Sequence, residues 1–140
     1  PPNPRSAERQ VDGIDTVPDV LAVVDDIFFV GKLQETARQV GVPLTVVHAA
    51  DFNLDALRRS PPPLVIFDLN TTSASAVELI RQLKADGELG QVPVLGFFSH
   101  VQVELQRAAQ EAGCEQVLPR SKFTATLPDL LRQFGKAEAP

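Results

Sequence analysis

The chain has 140 residues and is 44% hydrophobic, which suits one domain with a packed core rather than a disordered segment. Its 18 acidic and 13 basic residues give a net charge of -5, so we expect no direct binding to nucleic acid. No apolar run approaches the roughly 18 residues that cross a bilayer, so we expect no membrane attachment. The single cysteine, Cys114, excludes an internal disulfide and indicates a reducing, cytoplasmic compartment.

Both ends of the chain differ in composition from its middle. Residues 1–18 and 135–140 are polar and show no hydrophobic periodicity. The sequence therefore predicts a flexible N-terminal tail over 1–18, one folded domain over 19–134 and a C-terminal tail over 135–140.

Within the predicted domain, short apolar runs alternate with longer amphipathic segments. The predicted strands cover residues 20–24, 43–49, 64–70, 92–99 and 116–119. The predicted helices cover residues 29–40, 52–60, 75–85 and 101–112, and a last helix is marked by apolar residues from 127 to 134. Asp51 is the expected cap of the second helix, and Gly41 and Gly113 are expected to end the first and fourth.

Strict alternation of five strands with five helices predicts an α/β fold. The strands are apolar enough to need cover on both faces, so the sheet should be parallel and doubly wound. The common order for five such strands is 2-1-3-4-5, a flavodoxin-like three-layer sandwich. Its switch point lies between the first and third strands, and ligands bind there at the carboxyl ends.

Carboxylates end the two strands that meet at this switch point. Asp25 and Asp26 directly follow the first strand, and Asp68 ends the third. Taken alone, Asp26 or Asp68 is also typical of a helix cap. Together the three repel one another and need a counter-charge, which a hard cation such as Mg²⁺ supplies. The apolar residues 27–29 are expected to begin the first helix and to anchor it on the sheet.

A flavodoxin-like domain that binds a flavin or nucleotide is the alternative on this fold. Such a site needs glycines or hydroxyls after the first strand to cradle a phosphate, whereas "DDIFF" repels one. His48 and His100 are too isolated to form a zinc site, although His100 should lie near the edge of the crevice.

The motifs together resemble the receiver domain of two-component response regulators, over about residues 19–134. "VVDD" is similar to the acidic pair that begins a receiver, and "LVIFDLN" to the strand that ends in its phosphoacceptor aspartate. "VPVLGFFSH" and "AGCEQVLPRSKF" resemble the fourth strand and the approach to the strand-five lysine. The resemblance implies that Asp68 accepts a phosphoryl group from a histidine kinase or phosphotransfer protein. It also implies that Mg²⁺ is bound by Asp25, Asp26, Asp68 and the main-chain carbonyl of Asn70.

The chain departs from the receiver pattern in three places. The loop "TTSASAV" after the acceptor strand has neither the usual proline nor the usual glycine. An ungapped count puts Phe98 where receivers carry Thr or Ser, with Ser99 one place later. A similar count puts Arg120 at the lysine position, with Lys122 two residues on, and arginine does not replace lysine freely at a crowded site.

Two interpretations stay open at this point. In one, the domain is a working phosphoacceptor that uses Ser99 as the hydroxyl and Arg120 or Lys122 as the cation. In the other, it is an atypical receiver kept as an interaction module. Both predict a signalling module and not an enzyme, with output to a downstream protein partner or through a homodimer. Phe97, Phe98 and Phe123 are expected near the output face, unless they are simply core.

Overall fold

The predicted strands form one parallel five-stranded sheet in the computed structural model, which describes residues 18–135. They are β1 (Val20–Val23), β2 (Leu44–Val47), β3 (Val65–Asp68), β4 (Val94–Phe98) and β5 (Gln116–Pro119). Their order is β2-β1-β3-β4-β5, which confirms the prediction. Since β1 pairs with β3 in parallel register, the acidic ends of these two strands lie side by side.

Helices follow each strand along the described part of the chain. They are α1 (Ile27–Val40), α2 (Leu54–Arg59), α3 (Ala76–Ala85), α4 (Val103–Ala112) and α5 (Arg120–Phe134), with a 3₁₀ turn at Ala49–Asp51. Asp51 lies in that turn and does not cap α2. The cap is Asn53, whose side-chain oxygen accepts the Ala56 N–H at 3.3 Å. Gly41 and Gly113 end α1 and α4 with positive φ angles of 73° and 119°, as expected.

Apolar side chains pack on both faces of the sheet. α1 and α5 cover one face, and α2, α3 and α4 cover the other. Phe97 and Phe123 are fully buried core residues whose rings stack 4.6 Å apart. Phe98 is also buried. The three phenylalanines expected near an output face are therefore core residues.

The apolar residues after Asp26 do not all anchor α1 on the sheet. Phe29 is buried and packs against Phe97, with ring centroids 4.9 Å apart. Ile27 and Phe28 are instead 69% and 86% exposed. The prediction that all three anchor the helix was wrong, because consecutive helical residues point about 100° apart and only one stripe faces the sheet.

The predicted domain over 19–134 lies wholly within the described residues. Of the predicted tails over 1–18 and 135–140, residues 1–17 and 136–140 lie outside the described residues. Gly135, assigned to the C-terminal tail from sequence, is buried at the end of α5, where a Cβ would clash with Val20 and Val42. Within residues 18–135, no helix has both the length and the apolar character needed to cross a membrane.

Candidate functional site

A crevice of about 410 Å³ opens where the strands of the sheet reach their carboxyl ends. Its lining residues come from the end of β3, from the loops after β1, β3 and β4, and from the start of α5: Asp25, Asp26, Asp68, Asn70, Thr72, Ser99, His100 and Arg120. The topology therefore brings together every candidate site residue except Lys122. That lysine is exposed on α5, two residues beyond Arg120, and does not line the crevice.

Asp68 is the most buried carboxylate of the crevice. It is the last residue of β3 and only 6% exposed, and its Oδ1 accepts the Asn70 N–H at 2.9 Å. Burial raises the pKa of Asp68, and the charges of Asp26 and Asp25 raise it further, against the opposing effects of the Asn70 N–H and Arg120. A poorly solvated carboxylate between two others gains strongly from any nearby positive charge.

Asp25 is held by donors from two different loops. Its Oδ1 accepts the Ala49 N–H at 3.0 Å and the Ser73 hydroxyl at 3.1 Å, and its Oδ2 accepts the N–H groups of Thr72 and Ser73 at 3.0 and 2.9 Å. The Nδ1 of His48 approaches Oδ1 at 3.4 Å. Burial raises the pKa of Asp25, but the hydrogen bonds outweigh it and hold this pKa at about 2. Asp25 therefore fastens the loop after β3 to the end of β1.

Neither loop contact was expected from the sequence. Ser73 lies 48 residues from Asp25, in the loop that lacks the usual proline and glycine. The Ser73 hydroxyl also accepts the Ala50 N–H at 2.9 Å, so it links three segments of chain. The serine and threonine content of "TTSASAV" was the available signal, since such residues supply loop hydrogen bonds. No feature of the sequence indicated that His48 would lie close to Asp25.

Asp26 divides its two carboxylate oxygens between a helix and the crevice. Oδ1 accepts the N–H groups of Phe28 and Phe29 at 2.9 and 3.4 Å, so Asp26 is the N-cap of α1. Oδ2 faces the crevice and lies 3.4 Å from Nη2 of Arg120. Asp26 is therefore both a helix cap and a crevice residue, and so combines the two roles that the sequence allows for it.

Arg120 extends from the first position of α5 into the crevice. Its Nη1 donates to the Ser99 Oγ at 3.2 Å, its Nη2 reaches Asp26, and its Cζ lies 4.1 Å from the centroid of the Phe29 ring. The guanidinium is thus fixed by a hydroxyl, a carboxylate and an aromatic face. Of the two cations considered from sequence, Arg120 occupies the crevice.

The hydroxyl in the crevice belongs to Ser99. Phe98, the last residue of β4, is buried, whereas Ser99 follows the strand and is exposed. The Ser99 N–H donates to Oδ1 of Asn70 at 2.8 Å, which ties the end of β4 to the loop after β3. The structure therefore places the Ser99 hydroxyl beside Arg120, with Oγ 3.2 Å from Nη1.

The oxygen atoms of the crevice suit a hard cation only in part. No three His, Cys, Asp or Glu side chains among residues 18–135 converge closely enough to hold a metal ion. Mg²⁺, however, is commonly bound by one or two carboxylates with carbonyls and waters. Asp26 and Asp68 supply two carboxylates, and Asn70 also lines the crevice, while both oxygens of Asp25 accept hydrogen bonds from the loops. The carboxylate oxygens that are free of loop hydrogen bonds therefore belong to two residues and not to three.

No protein-family model matches the chain, but solved structures resemble it. The Mn²⁺-bound form of response regulator Rcp1 matches with a TM-score of 0.69 and 17% identity, over 88% of this chain and 99% of its own. Chemotaxis response regulator CheY4 of Vibrio cholerae gives 0.71 and 18%, over 85% and 99%. A response regulator from Hahella chejuensis gives 0.73 and 15%, over 88% and 98%. At these identities the likeness shows a shared fold.

Proposed function

Since the chain has the fold of response-regulator receiver domains, we propose that it is a receiver that accepts a phosphoryl group on Asp68. The observation that carries this proposal is the position of Asp68. It is buried at the centre of a crevice that also presents two carboxylates, the Ser99 hydroxyl and the Arg120 guanidinium. This arrangement combines a nucleophile with groups that bind a phosphoryl oxygen.

The transfer follows from the chemistry of these groups. A carboxylate oxygen of Asp68 attacks the phosphorus of a donor phosphohistidine, the P–N bond breaks, and the electron pair stays on the imidazole, which takes up a proton from solvent. Ser99 and Arg120 have donors that can turn to the phosphoryl oxygens. A bound Mg²⁺, held by Asp26, Asp68 and the Asn70 carbonyl, would neutralise charge on the acceptor and on the incoming group.

Exposed apolar side chains directly follow two of the crevice residues along the chain. Ile27 and Phe28 directly follow Asp26, and Val101 directly follows His100; all three are more than two-thirds exposed. Exposed large apolar side chains next to a polar site are typical of protein contact surfaces. We therefore propose a histidine kinase or a phosphotransfer protein as donor, and a protein as the receiver of the output.

The proposal is tested by incubating the purified protein with Mg²⁺ and a small acyl phosphate donor and then measuring its intact mass. We expect one added phosphoryl group in the wild type and in Asp51→Asn, which changes an exposed aspartate outside the crevice. Asp68→Asn should take up none. Equal labelling of Asp68→Asn, or no labelling of a folded wild type, would overturn the acceptor assignment.

A second candidate is an interaction module without phosphotransfer. It is favoured by the hydrogen bonds that occupy both oxygens of Asp25 and by the pairing of Asp26 with Arg120, which balance much of the charge of the crevice internally. This candidate predicts partner binding that is the same with and without Mg²⁺ and is unchanged by Asp68→Asn. The receiver proposal predicts that binding depends on both.

A further inference from the structure

We propose that Arg120 is the resident counter-cation of the crevice, and that a divalent cation binds only when the guanidinium leaves Asp26. This inference rests on the proposed function, because it concerns the cation that phosphotransfer to Asp68 would use. The inference describes how the site is regulated, because metal binding and the contact between Arg120 and Asp26 exclude each other.

The charges of the crevice support this role. Three carboxylates line it, and Arg120 is the only lysine or arginine among the described residues that do so. Its Nη2 lies 3.4 Å from Oδ2 of Asp26, the oxygen that does not cap α1. That same oxygen is the one that Asp26 has available for a metal. A guanidinium and a divalent cation therefore compete for one carboxylate oxygen.

The contacts of Arg120 make it a strong competitor. A lysine ammonium is a single point charge, whereas the planar guanidinium contacts the Ser99 Oγ and Asp26 at the same time. Its Cζ also lies 4.1 Å from the ring centroid of Phe29. That ring is fixed by its packing against Phe97 and Phe123. The guanidinium thus rests on a rigid surface, and displacing it breaks three interactions at once.

Displacement also changes what the crevice offers to a phosphoryl group. In the structure, the guanidinium of Arg120 is engaged with the Ser99 hydroxyl and with Asp26 at the same time. When a cation takes over Asp26, the guanidinium and the hydroxyl become available together at the mouth of the crevice. The side chain of Arg120 is 35% exposed, so it has room to swing outward without unpacking the core. Metal binding would in this way prepare both donors.

The inference is tested by measuring Mn²⁺ affinity from the electron paramagnetic resonance of the free ion at fixed ionic strength. Arg120→Gln should bind Mn²⁺ about tenfold more tightly than the wild type, which is about 1.4 kcal/mol. Lys122→Gln is the matched control, since it removes one positive charge from the same turn of α5 but outside the crevice. Its affinity should stay within about twofold of the wild type, as expected for a screened exposed charge. Arg120→Lys should show about a threefold gain, because it keeps the charge but loses the fork.

The outcomes separate this inference from the proposed function. Tighter binding in both Arg120 variants and not in Lys122→Gln supports it. Equal gains in Arg120→Gln and Lys122→Gln would reduce the effect to net charge and overturn it, as would unchanged or weaker binding in the Arg120 variants. Phosphoryl uptake by the wild type is measured independently. Phosphoryl uptake by the wild type together with unchanged Mn²⁺ affinity in the Arg120 variants would overturn only this inference. Tighter Mn²⁺ binding in the Arg120 variants without phosphoryl uptake by the wild type would overturn only the proposed function.

Discussion

Replacing Asp25 with asparagine tests how the loop after β3 is held. The substitution keeps the size of the side chain but removes the charge and turns an amide N–H₂ toward backbone donors. In the wild type, Ala49, Thr72 and Ser73 all donate to this carboxylate, which is 17% exposed. The oxygen of an asparagine amide can accept only some of these hydrogen bonds, and the N–H₂ group of the amide then faces a backbone N–H that has lost its acceptor.

The expected loss of unfolding free energy follows from the pKa of the Asp25 carboxylate. The pKa of Asp25 is about 2 in the folded chain against an ordinary value of 3.8. Since each factor of ten in proton affinity is worth about 1.4 kcal/mol, the charged form stabilises the fold by roughly 2.5 kcal/mol at neutral pH. Because the folded pKa is the lower one, this contribution is present above about pH 4 and is lost as the pH falls to about 2.

The assay is urea unfolding followed by far-UV circular dichroism, because the chain has no tryptophan and no tyrosine. Asp25→Asn should lose roughly 2.5 kcal/mol of unfolding free energy at neutral pH, and its deficit should shrink between about pH 4 and pH 2. Asp51→Asn controls for the loss of one negative charge and should change stability by less than about 0.5 kcal/mol. A deficit below about 0.5 kcal/mol in Asp25→Asn, or one that does not depend on pH in this window, would refute the reasoning.

Asp68→Asn should be more stable than the wild type at neutral pH, because the folded pKa of Asp68 is raised and its buried charge opposes folding; a lower urea midpoint would contradict this. The Cys114 thiol should react with an aromatic disulfide reagent only on unfolding, because burial raises its pKa to about 12; rapid reaction of the native protein would show that the site opens. Phe28→Ser should leave the urea midpoint nearly unchanged and slow labelling by a phosphorylated donor protein but not by a small acyl phosphate; equal slowing with both donors would exclude a docking role.

The fold was predictable because its signals are local and repeated. Apolar runs alternate with amphipathic segments throughout the domain, and strands that are apolar on both sides require a parallel sheet with helices on both faces. Once the strand order is fixed, Asp25, Asp26 and Asp68 must meet at one edge. This is why the sequence alone predicts that these three carboxylates share one crevice.

The contacts within the site could not be predicted in the same way. The partners of Asp25 come from two loops whose paths depend on tertiary packing, so no local pattern indicates them. The exposure of Phe28 depends on the direction in which α1 leaves the sheet, and apolar character alone does not give that direction. To decide whether Arg120 or Lys122 enters the crevice, one must know at which residue α5 begins. Helix ends are the least certain feature of a sequence-based assignment.

The measurement that tests the central claim most directly locates the phosphoryl group on the chain. After incubation with Mg²⁺ and a small acyl phosphate, borohydride reduces an aspartyl phosphate to homoserine, and peptide sequencing by mass spectrometry reads the modified position. We expect homoserine at position 68 and at no other aspartate. Homoserine at Asp25 or Asp26, or none at any position in the folded protein, would contradict it.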